Sequence, residues 1–287
     1  MIGACCYLLT SSPFSGKTLF LIGVKQSISS LSNPKVKELV RLRQSARKRR
    51  EQGLFVVEGI DEVEAFLKTG KPVREIYCGT AFARGSAGGE FLEEWKDTCP
   101  VFELEPDVFA KASYANGSDG LIAIAQTWEL GLPAISEKPR VVVVLDEVEK
   151  PGNLGAILRT AEAFGVSFVL LSDPVLDFFN PNVVRSSRGL MAGVRVGCGT
   201  KEEVAAWLQA QGMEALGTSS KGKRPLWEMA FRHGTAFVLG SEKAGLGKFW
   251  KERIEQWVRI PMKGEASSLN LNVSTACLVA EFNRQIG

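Results

Sequence analysis

The hydrophobic pattern of the first half of the chain predicts a small α/β domain. Asn33-Pro34 is a favourable helix start, because asparagine caps a helix and proline suits its first turn. We expect one helix from there to Gly53, with apolar side chains facing inward and lysines and arginines pointing outward. A second helix is predicted at residues 61–68, and short strands at 54–57, 73–78, 101–104 and 121–125. Together these elements predict a domain of residues 28–126.

The pattern changes after residues 127–139, which contain two prolines and a glycine and are assigned as a linker. Residues 141–145 form a continuous apolar run, typical of a strand buried on both faces of a parallel sheet. The helix after it ends at Gly165, and its inward face carries Leu154, Ile157, Leu158, Ala161 and Phe164. A capping box, Thr200 with Glu203, starts a later helix. Further strands are predicted at 168–171, 215–216, 236–239 and 257–260. This alternation predicts a second α/β domain, residues 140–287, with a mostly parallel sheet.

Positive charge is concentrated in one segment, although the net charge of the 287 residues is only +3. The segment from 35 to 50 has eight basic residues and one acidic residue, Glu38. Such a surplus favours nucleic-acid binding. A solvated helix face is the alternative explanation. The candidate RNA-binding residues are Lys35, Lys37, Arg41, Arg43, Arg47, Lys48, Arg49 and Arg50.

Several other classes of protein are disfavoured. The six cysteines include no C-x-x-C pair, so reduced thiols, a cytoplasmic location and no metal site are expected. The single histidine, His233, weakens any Ser-His-Asp site. No apolar run reaches the roughly 20 residues that span a bilayer, so no membrane partner is expected. Residues 1–27 are predicted to be a disordered or non-native extension. A nucleotide site at residues 15–18 is discounted, because Ser11 replaces the glycine such a loop requires.

Three segments carry candidate chemistry. The first runs from Asn153 to Arg159 after a buried strand, at the sheet edge where open α/β sheets bind ligands. Arg159 is predicted to point away from the core face, about 200° around the helix from Ile157. The second is a glycine-flanked acidic turn at 240–245. The third, 260–274, combines a strand end with a serine- and asparagine-rich helix start. Taken singly, they could be a helix cap beside a surface arginine, a plain turn and an over-capped helix.

Taken in order, these segments resemble the three motifs of the SpoU (TrmH-like) family of RNA 2′-O-ribose methyltransferases, in the SPOUT superfamily. Asn153-x-Gly155-x-x-x-Arg159 matches the first motif and Gly240-Ser241-Glu242-x-x-Gly245 the second. Ile260-Pro261-Met262-x-Gly264 with Ser268-Leu269-Asn270 matches the third. The likeness spans roughly residues 140 to 284. Residues 28–126 also look like the substrate-binding domain related to ribosomal protein L30 that precedes the catalytic domain in many members.

The resemblance implies an α/β knot, a homodimer, S-adenosylmethionine as cofactor and RNA as substrate, with ribosomal RNA favoured over transfer RNA. Arg159 is implied as the residue that contacts the RNA phosphate and assists deprotonation of the 2′-hydroxyl. The other implied catalytic residues are Asn153, Glu242, Ser268 and Asn270. The implied cofactor-binding residues are Leu216, Gly217, Thr218, Ser219, Leu239, Gly240, Ile260, Met262, Ser268, Leu269 and Asn270.

One position departs from the family pattern. Valine and serine usually follow the Ser-Leu-Asn of the third motif, whereas Leu271 and Asn272 stand here. Asparagine keeps a hydrogen-bonding side chain, so activity is expected to survive. A non-catalytic RNA-binding protein of the same fold is the alternative, and the intact motifs argue against it.

Overall fold

The computed structural model describes residues 26–114 and 119–287, and it contains two β-sheets. The first has the strand order β1-β4-β3-β5-β2, with β5 antiparallel to both of its neighbours. Its strands are β1 (Gln26–Ile28), β2 (Leu54–Glu58), β3 (Val73–Gly79), β4 (Val101–Leu104) and β5 (Leu121–Gln126). The sequence assigned Gln26 and Ser27 to the extension, but they pair with β4. The discounted nucleotide motif at 15–18 lies outside the described residues.

Helices cover both faces of this sheet. They are α1 (Pro34–Gln44), α2 (Ala46–Gln52), α3 (Ile60–Lys68), α4 (Thr80–Arg84), α5 (Ser86–Glu94) and α6 (Pro106–Ala112). Apolar side chains of α1 and α6 share a core with one face, and those of α3 and α5 pack on the other. The sequence did not predict α5, because two adjacent glycines interrupt its helical pattern.

The prediction of one continuous basic helix is wrong at Ser45. That residue has an extended backbone (φ −125°, ψ 111°), which ends α1, and its hydroxyl accepts a hydrogen bond from the Lys48 amide at 3.3 Å, which starts α2. Serine is a strong helix N-cap. The break turns α2 and brings Arg49 inward.

Arg49 is buried where α2 meets the loop that contains Asp177, so the prediction that it points outward is wrong. Only 3% of the side chain is exposed, and its guanidinium pairs with Asp177 at 2.6 Å. It also donates to the carbonyls of Leu42 at 2.6 Å and Arg43 at 3.2 Å. An aromatic cluster continues the same interface and consists of Phe55, Phe66, Trp128, Phe178 and Phe179. The buried ion pair and this aromatic cluster therefore hold the N-terminal domain, which carries the basic segment, against the second domain.

The second sheet has seven parallel strands in the order β10-β12-β9-β11-β6-β7-β8, which confirms the predicted parallel sheet. Its strands are β6 (Val141–Asp146), β7 (Phe168–Ser172), β8 (Val196–Gly199), β9 (Glu214–Thr218), β10 (Arg224–Pro225), β11 (Thr235–Leu239) and β12 (Gln256–Arg259). Its helices are α7 (Pro151–Ala163), α8 (Pro181–Ser186), α9 (Lys201–Ala210), α10 (Lys248–Arg253) and α11 (Leu271–Ile286). The capping box of Thr200 and Glu203 is present at α9, as predicted.

The last strand connects helices on opposite faces of this sheet. Trp250 of α10 shares a core with α9, whereas Phe282 of α11 packs in the core that contains α7. The chain therefore crosses the carboxyl edge of the sheet between β12 and α11. Threading of that segment through a loop, which the resemblance implies, stays a prediction. Within the described residues, no helix is long and apolar enough to cross a membrane.

Candidate active site

A cleft of about 660 Å³ lies at the carboxyl edge of the parallel sheet. Four strands, β6, β9, β11 and β12, end beside it, and the loops that follow them supply its walls. Open α/β sheets bind ligands at this edge. The predicted site residues that line the cleft are Asn153, Thr218, Ser219, Leu239, Gly240, Glu242, Ile260, Met262, Ser268, Leu269 and Asn270.

Two predicted cofactor-binding residues do not line the cleft. Leu216 is 2% exposed and contributes to the core inside β9. Gly217 is covered by the indole of Trp257, which a Cβ at that position would meet at 2.8 Å. These residues support the cleft from within the sheet, while Thr218 and Ser219 at the end of the strand reach it.

The three motifs meet in one chain of hydrogen bonds. Asn270 caps α11, with its Oδ1 accepting from the Asn272 amide at 2.9 Å. Its Nδ2 therefore faces outward and donates to Oδ1 of Asn153 at 3.0 Å. Asn153 in turn donates through Nδ2 to Oε1 of Glu242. The cap of α11 thus fixes the orientation of the Asn270 and Asn153 side-chain amides, so that the Asn153 amide donates to the Glu242 carboxylate.

Two details of this network differ from the simplest interpretation of the sequence. Asn153 is not the N-cap of α7, because the helix begins at Pro151 after Lys150, and its side chain is free to join the network. Oε2 of Glu242 is buried and has no hydrogen-bond partner. A buried carboxylate oxygen without a donor costs free energy, so the cleft offers an acceptor for a ligand that carries N–H or O–H groups.

Glycines permit two close approaches at this site. A Cβ on Gly240 would meet the carbonyl carbon of Gly245 at 2.1 Å, because the acidic turn folds back on the end of β11. A Cβ on Gly155 would meet the carbonyl oxygen of Val183 at 2.4 Å, where α8 crosses α7. Both motif glycines therefore serve backbone packing that no other residue allows.

Arg159 is exposed, as predicted, and makes no hydrogen bond or ion pair with another described residue. It does not line the cleft of its own chain. Six residues separate it from Asn153, or about 9 Å along a helix axis. The neighbouring Thr160 donates to Oδ1 of Asn272 at 2.8 Å. The unusual Asn272 thus joins α11 to the helix that carries Arg159.

The basic segment splits into exposed and engaged side chains. Lys35 pairs with Glu75 at 2.7 Å, and Arg43 donates to the Ala112 carbonyl at 3.0 Å, so these two serve the domain's own structure as Arg49 does. Exposed or half-exposed positions are held by Lys37, Arg41, Arg47, Lys48 and Arg50. Of these, Arg47 and Lys48 both pair with Glu51. In the described part of the chain, no cluster of three or more His, Cys, Asp or Glu side chains could hold a metal ion.

Sequence reasoning did not single out the four lysines of the cleft, Lys150, Lys221, Lys243 and Lys251. Their signal was weak. Lys221 opens a short basic run, Lys221-Gly222-Lys223-Arg224, three residues after the end of β9, and Lys251 lies between Lys248 and Arg253 in α10. Lys150 and Lys243 have no basic neighbour within three residues in the sequence.

Family models match both halves of the chain. The SpoU rRNA Methylase family model matches residues 140–280, and the MRM3-like substrate binding domain model matches residues 33–123. An uncharacterized tRNA/rRNA methyltransferase of Synechocystis is 30% identical, over 90% of this chain and 94% of its own length. A 23S rRNA (guanosine(2553)-2′-O)-methyltransferase of Bacillus subtilis is 28% identical, over 88% and 98%.

A solved structure is similar over the same range. The AdoMet-bound rRNA methyltransferase from Sinorhizobium meliloti superimposes with a TM-score of 0.79 and 26% identity, covering 90% of this chain and 97% of that one. The predicted fold class, an N-terminal substrate-binding domain followed by a SPOUT methyltransferase domain, is confirmed. This chain belongs to the SpoU rRNA methylase family.

Proposed function

We propose that this protein transfers a methyl group from S-adenosylmethionine to a ribose 2′-hydroxyl of ribosomal RNA in the cytoplasm. The observation that carries the proposal is the convergence of all three motifs on one cleft through the bonds from Asn270 to Asn153 and from Asn153 to Glu242. The Bacillus relative, whose name specifies a 23S rRNA guanosine, supports ribosomal over transfer RNA.

The cleft suits the cofactor. Backbone of the strand ends at Thr218 and Leu239 is within reach of a ligand, and Gly240 keeps one wall free of side chain. The unpartnered Oε2 of Glu242 accepts a hydrogen bond from an amino or hydroxyl group. When bound, S-adenosylmethionine supplies a methyl group activated by its sulfonium. The protein's own task is to position the ribose oxygen and to help remove its proton.

Arg159 is assigned the contact with the RNA phosphate and assistance to 2′-hydroxyl deprotonation. Arg159 does not line the cleft of its own chain, which supports a homodimer in which the arginine of one copy serves the cleft of the other. The exposed apolar side chain of Val273 (45% exposed), which lies on α11 and does not line the cleft, suits burial in such a homodimer. The exposed basic side chains of α1 and α2 (the α1–α2 surface: Lys37, Arg41, Arg47, Lys48 and Arg50) bind RNA farther from the reacting ribose.

Ribose methylation can be mapped in RNA from cells with and without the gene, because a 2′-O-methyl group blocks alkaline cleavage of the following phosphodiester. A single protected position in ribosomal RNA that disappears with the gene is expected. A protected position confined to transfer RNA would refute the assigned substrate, and an identical pattern in both cells would refute the activity.

Replacing Arg159 tests the catalytic assignment. Arg159→Ala should keep its affinity for S-adenosylmethionine and lose methyl transfer by about 10²- to 10⁴-fold, the usual contribution of a proton-transfer group. Glu162→Ala, an exposed position on the same helix, is the matched control and should keep its turnover. Calorimetry measures cofactor binding and a tritiated-methyl assay measures transfer. Near-normal turnover of Arg159→Ala would exclude the role assigned to it.

A further inference from the structure

Three exposed lysines surround the proposed cofactor cleft. Lys150 follows β6, Lys221 follows β9, and Lys251 lies on α10 after β11, so they approach the cleft from three separate elements. None of the three forms an ion pair within the described part of the chain. A fourth cleft lysine, Lys243, is neutralised by Glu149 at 3.1 Å.

No acidic side chain of the cleft balances these charges. Glu242 is the one acidic residue among the cleft's described lining, and its carboxylate is turned inward to accept from Asn153. The three lysines therefore leave the cleft entrance with a positive potential. Like charges held together without partners raise the free energy of the folded protein, and an anionic ligand offsets that cost.

The cofactor does not account for this charge. S-adenosylmethionine carries a sulfonium and an ammonium against a single carboxylate, so its net charge is positive, and three nearby ammonium groups weaken its binding. RNA presents one phosphate per nucleotide and is the anionic component of the proposed reaction. Lysine is a flexible point charge that suits phosphate contacts without sequence recognition.

We infer that Lys150, Lys221 and Lys251 bind the phosphates of the RNA strand next to the target nucleotide and hold its ribose at the cleft entrance. This inference rests on the proposed function. The exposed Lys223 and Arg224, which follow Lys221, extend the same surface along the chain. RNA is then held at two places, by the α1–α2 surface at a distance and by the cleft lysines beside the reacting ribose.

The test replaces Lys150, Lys221 and Lys251 together with alanine. Affinity for an in vitro transcript of 23S rRNA is measured against salt concentration, and affinity for S-adenosylmethionine by calorimetry. Each lost phosphate contact on a single strand lowers the slope of log K against log salt by about 0.7, so a decrease of about 2 is expected. At about 0.1 M salt this corresponds to an affinity roughly 100-fold weaker. Cofactor affinity should stay the same or increase.

The matched control removes the same charge elsewhere, as Lys68→Ala, Lys96→Ala and Lys138→Ala. These exposed lysines lie on the α3–α5 side of the first sheet and beside Gly234, at the amino end of the second. Equal slopes for the two triple variants would overturn the inference. So would loss of cofactor affinity with an unchanged RNA slope, because the lysines would then bind the cofactor carboxylate. RNA binding is read without methyl transfer, so absence of transfer by the wild type would overturn the proposed function separately.

Discussion

Adjacent arginines in α2 are expected to respond in opposite ways to the same substitution. Arg49 is 3% exposed and pairs with Asp177 in the loop between β7 and α8, whereas Arg50 is exposed and has no partner among the described residues. Arg49→Ala should therefore destabilise the protein and Arg50→Ala should not. Only Arg50→Ala should weaken RNA binding directly.

The magnitude for Arg49 follows from its contacts. The guanidinium makes two short contacts with the Asp177 carboxylate, at 2.7 and 2.6 Å, and the Leu42 carbonyl accepts a third at 2.6 Å. Asp177 is only 12% exposed, so removal of the arginine leaves a buried carboxylate unpaired. Breaking a buried pair from one side costs about 3–5 kcal/mol. Arg50→Ala should change the free energy of unfolding by less than about 0.5 kcal/mol.

Urea unfolding followed by circular dichroism measures the stability of both variants. The salt dependence of RNA affinity measures their phosphate contacts, and Arg50→Ala should lower that slope by about 0.7. Arg49→Lys keeps the charge but not the planar fork, so its stability should lie between those of Arg49→Ala and the wild type. Less than about 1 kcal/mol lost in Arg49→Ala, or a lower salt slope for Arg49→Ala than for Arg50→Ala, would refute the anchoring role.

Other consequences can be tested with single substitutions. Gly155→Ala should lower the free energy of unfolding by about 1–3 kcal/mol or more, because its Cβ would enter the α7–α8 contact. Gly152→Ala on the same helix meets nothing within 4 Å and should be neutral or stabilising. A comparable loss of stability in both variants, measured by urea unfolding, would contradict this. Asn272→Leu removes the acceptor for the Thr160 hydroxyl and should lower the free energy of unfolding by about 1 kcal/mol. Asn272→Ser supplies a shorter acceptor and should cost less. Equal stabilities of the two variants would argue against the hydrogen bond. Burial raises the pKa of the Cys99 thiol to about 12, so at pH 8 its alkylation, followed by mass spectrometry, should be about a thousandfold slower than that of an unperturbed thiol; labelling at the ordinary rate would disprove the burial.

The motif residues and the class of fold could be predicted from local patterns in the sequence. Periodicity was enough to predict the parallel sheet, because its strands are continuous apolar runs that only burial on both faces explains. The order and spacing of the three motifs also identified several residues of the cleft, among them Asn153, Glu242 and Asn270. Both kinds of signal are local in the chain.

Which of these residues contact one another, and which are engaged elsewhere, depends on the packing of the folded chain. Asn153, Glu242 and Asn270 lie far apart in sequence and form one hydrogen-bonded chain because β6 and β11 end, and α11 begins, at the same edge of the sheet. Arg49 and Arg50 are equivalent in a local pattern, yet the break of the helix at Ser45 turns one into the core and leaves the other in solvent.

The grouping of positive charges at the cleft could not be predicted from local sequence patterns either. Lys150, Lys221 and Lys251 lie far apart in the sequence, and their common position at the cleft depends on the order of strands in the sheet, which pairs β9 with β11 and β11 with β6. Arg159 illustrates the reverse case. Its outward direction follows from helix geometry, but its position outside the cleft, on which the proposed homodimer rests, depends on where α7 lies against α11. Burial and charge are properties of neighbours in space, and the linear pattern records only neighbours in the chain.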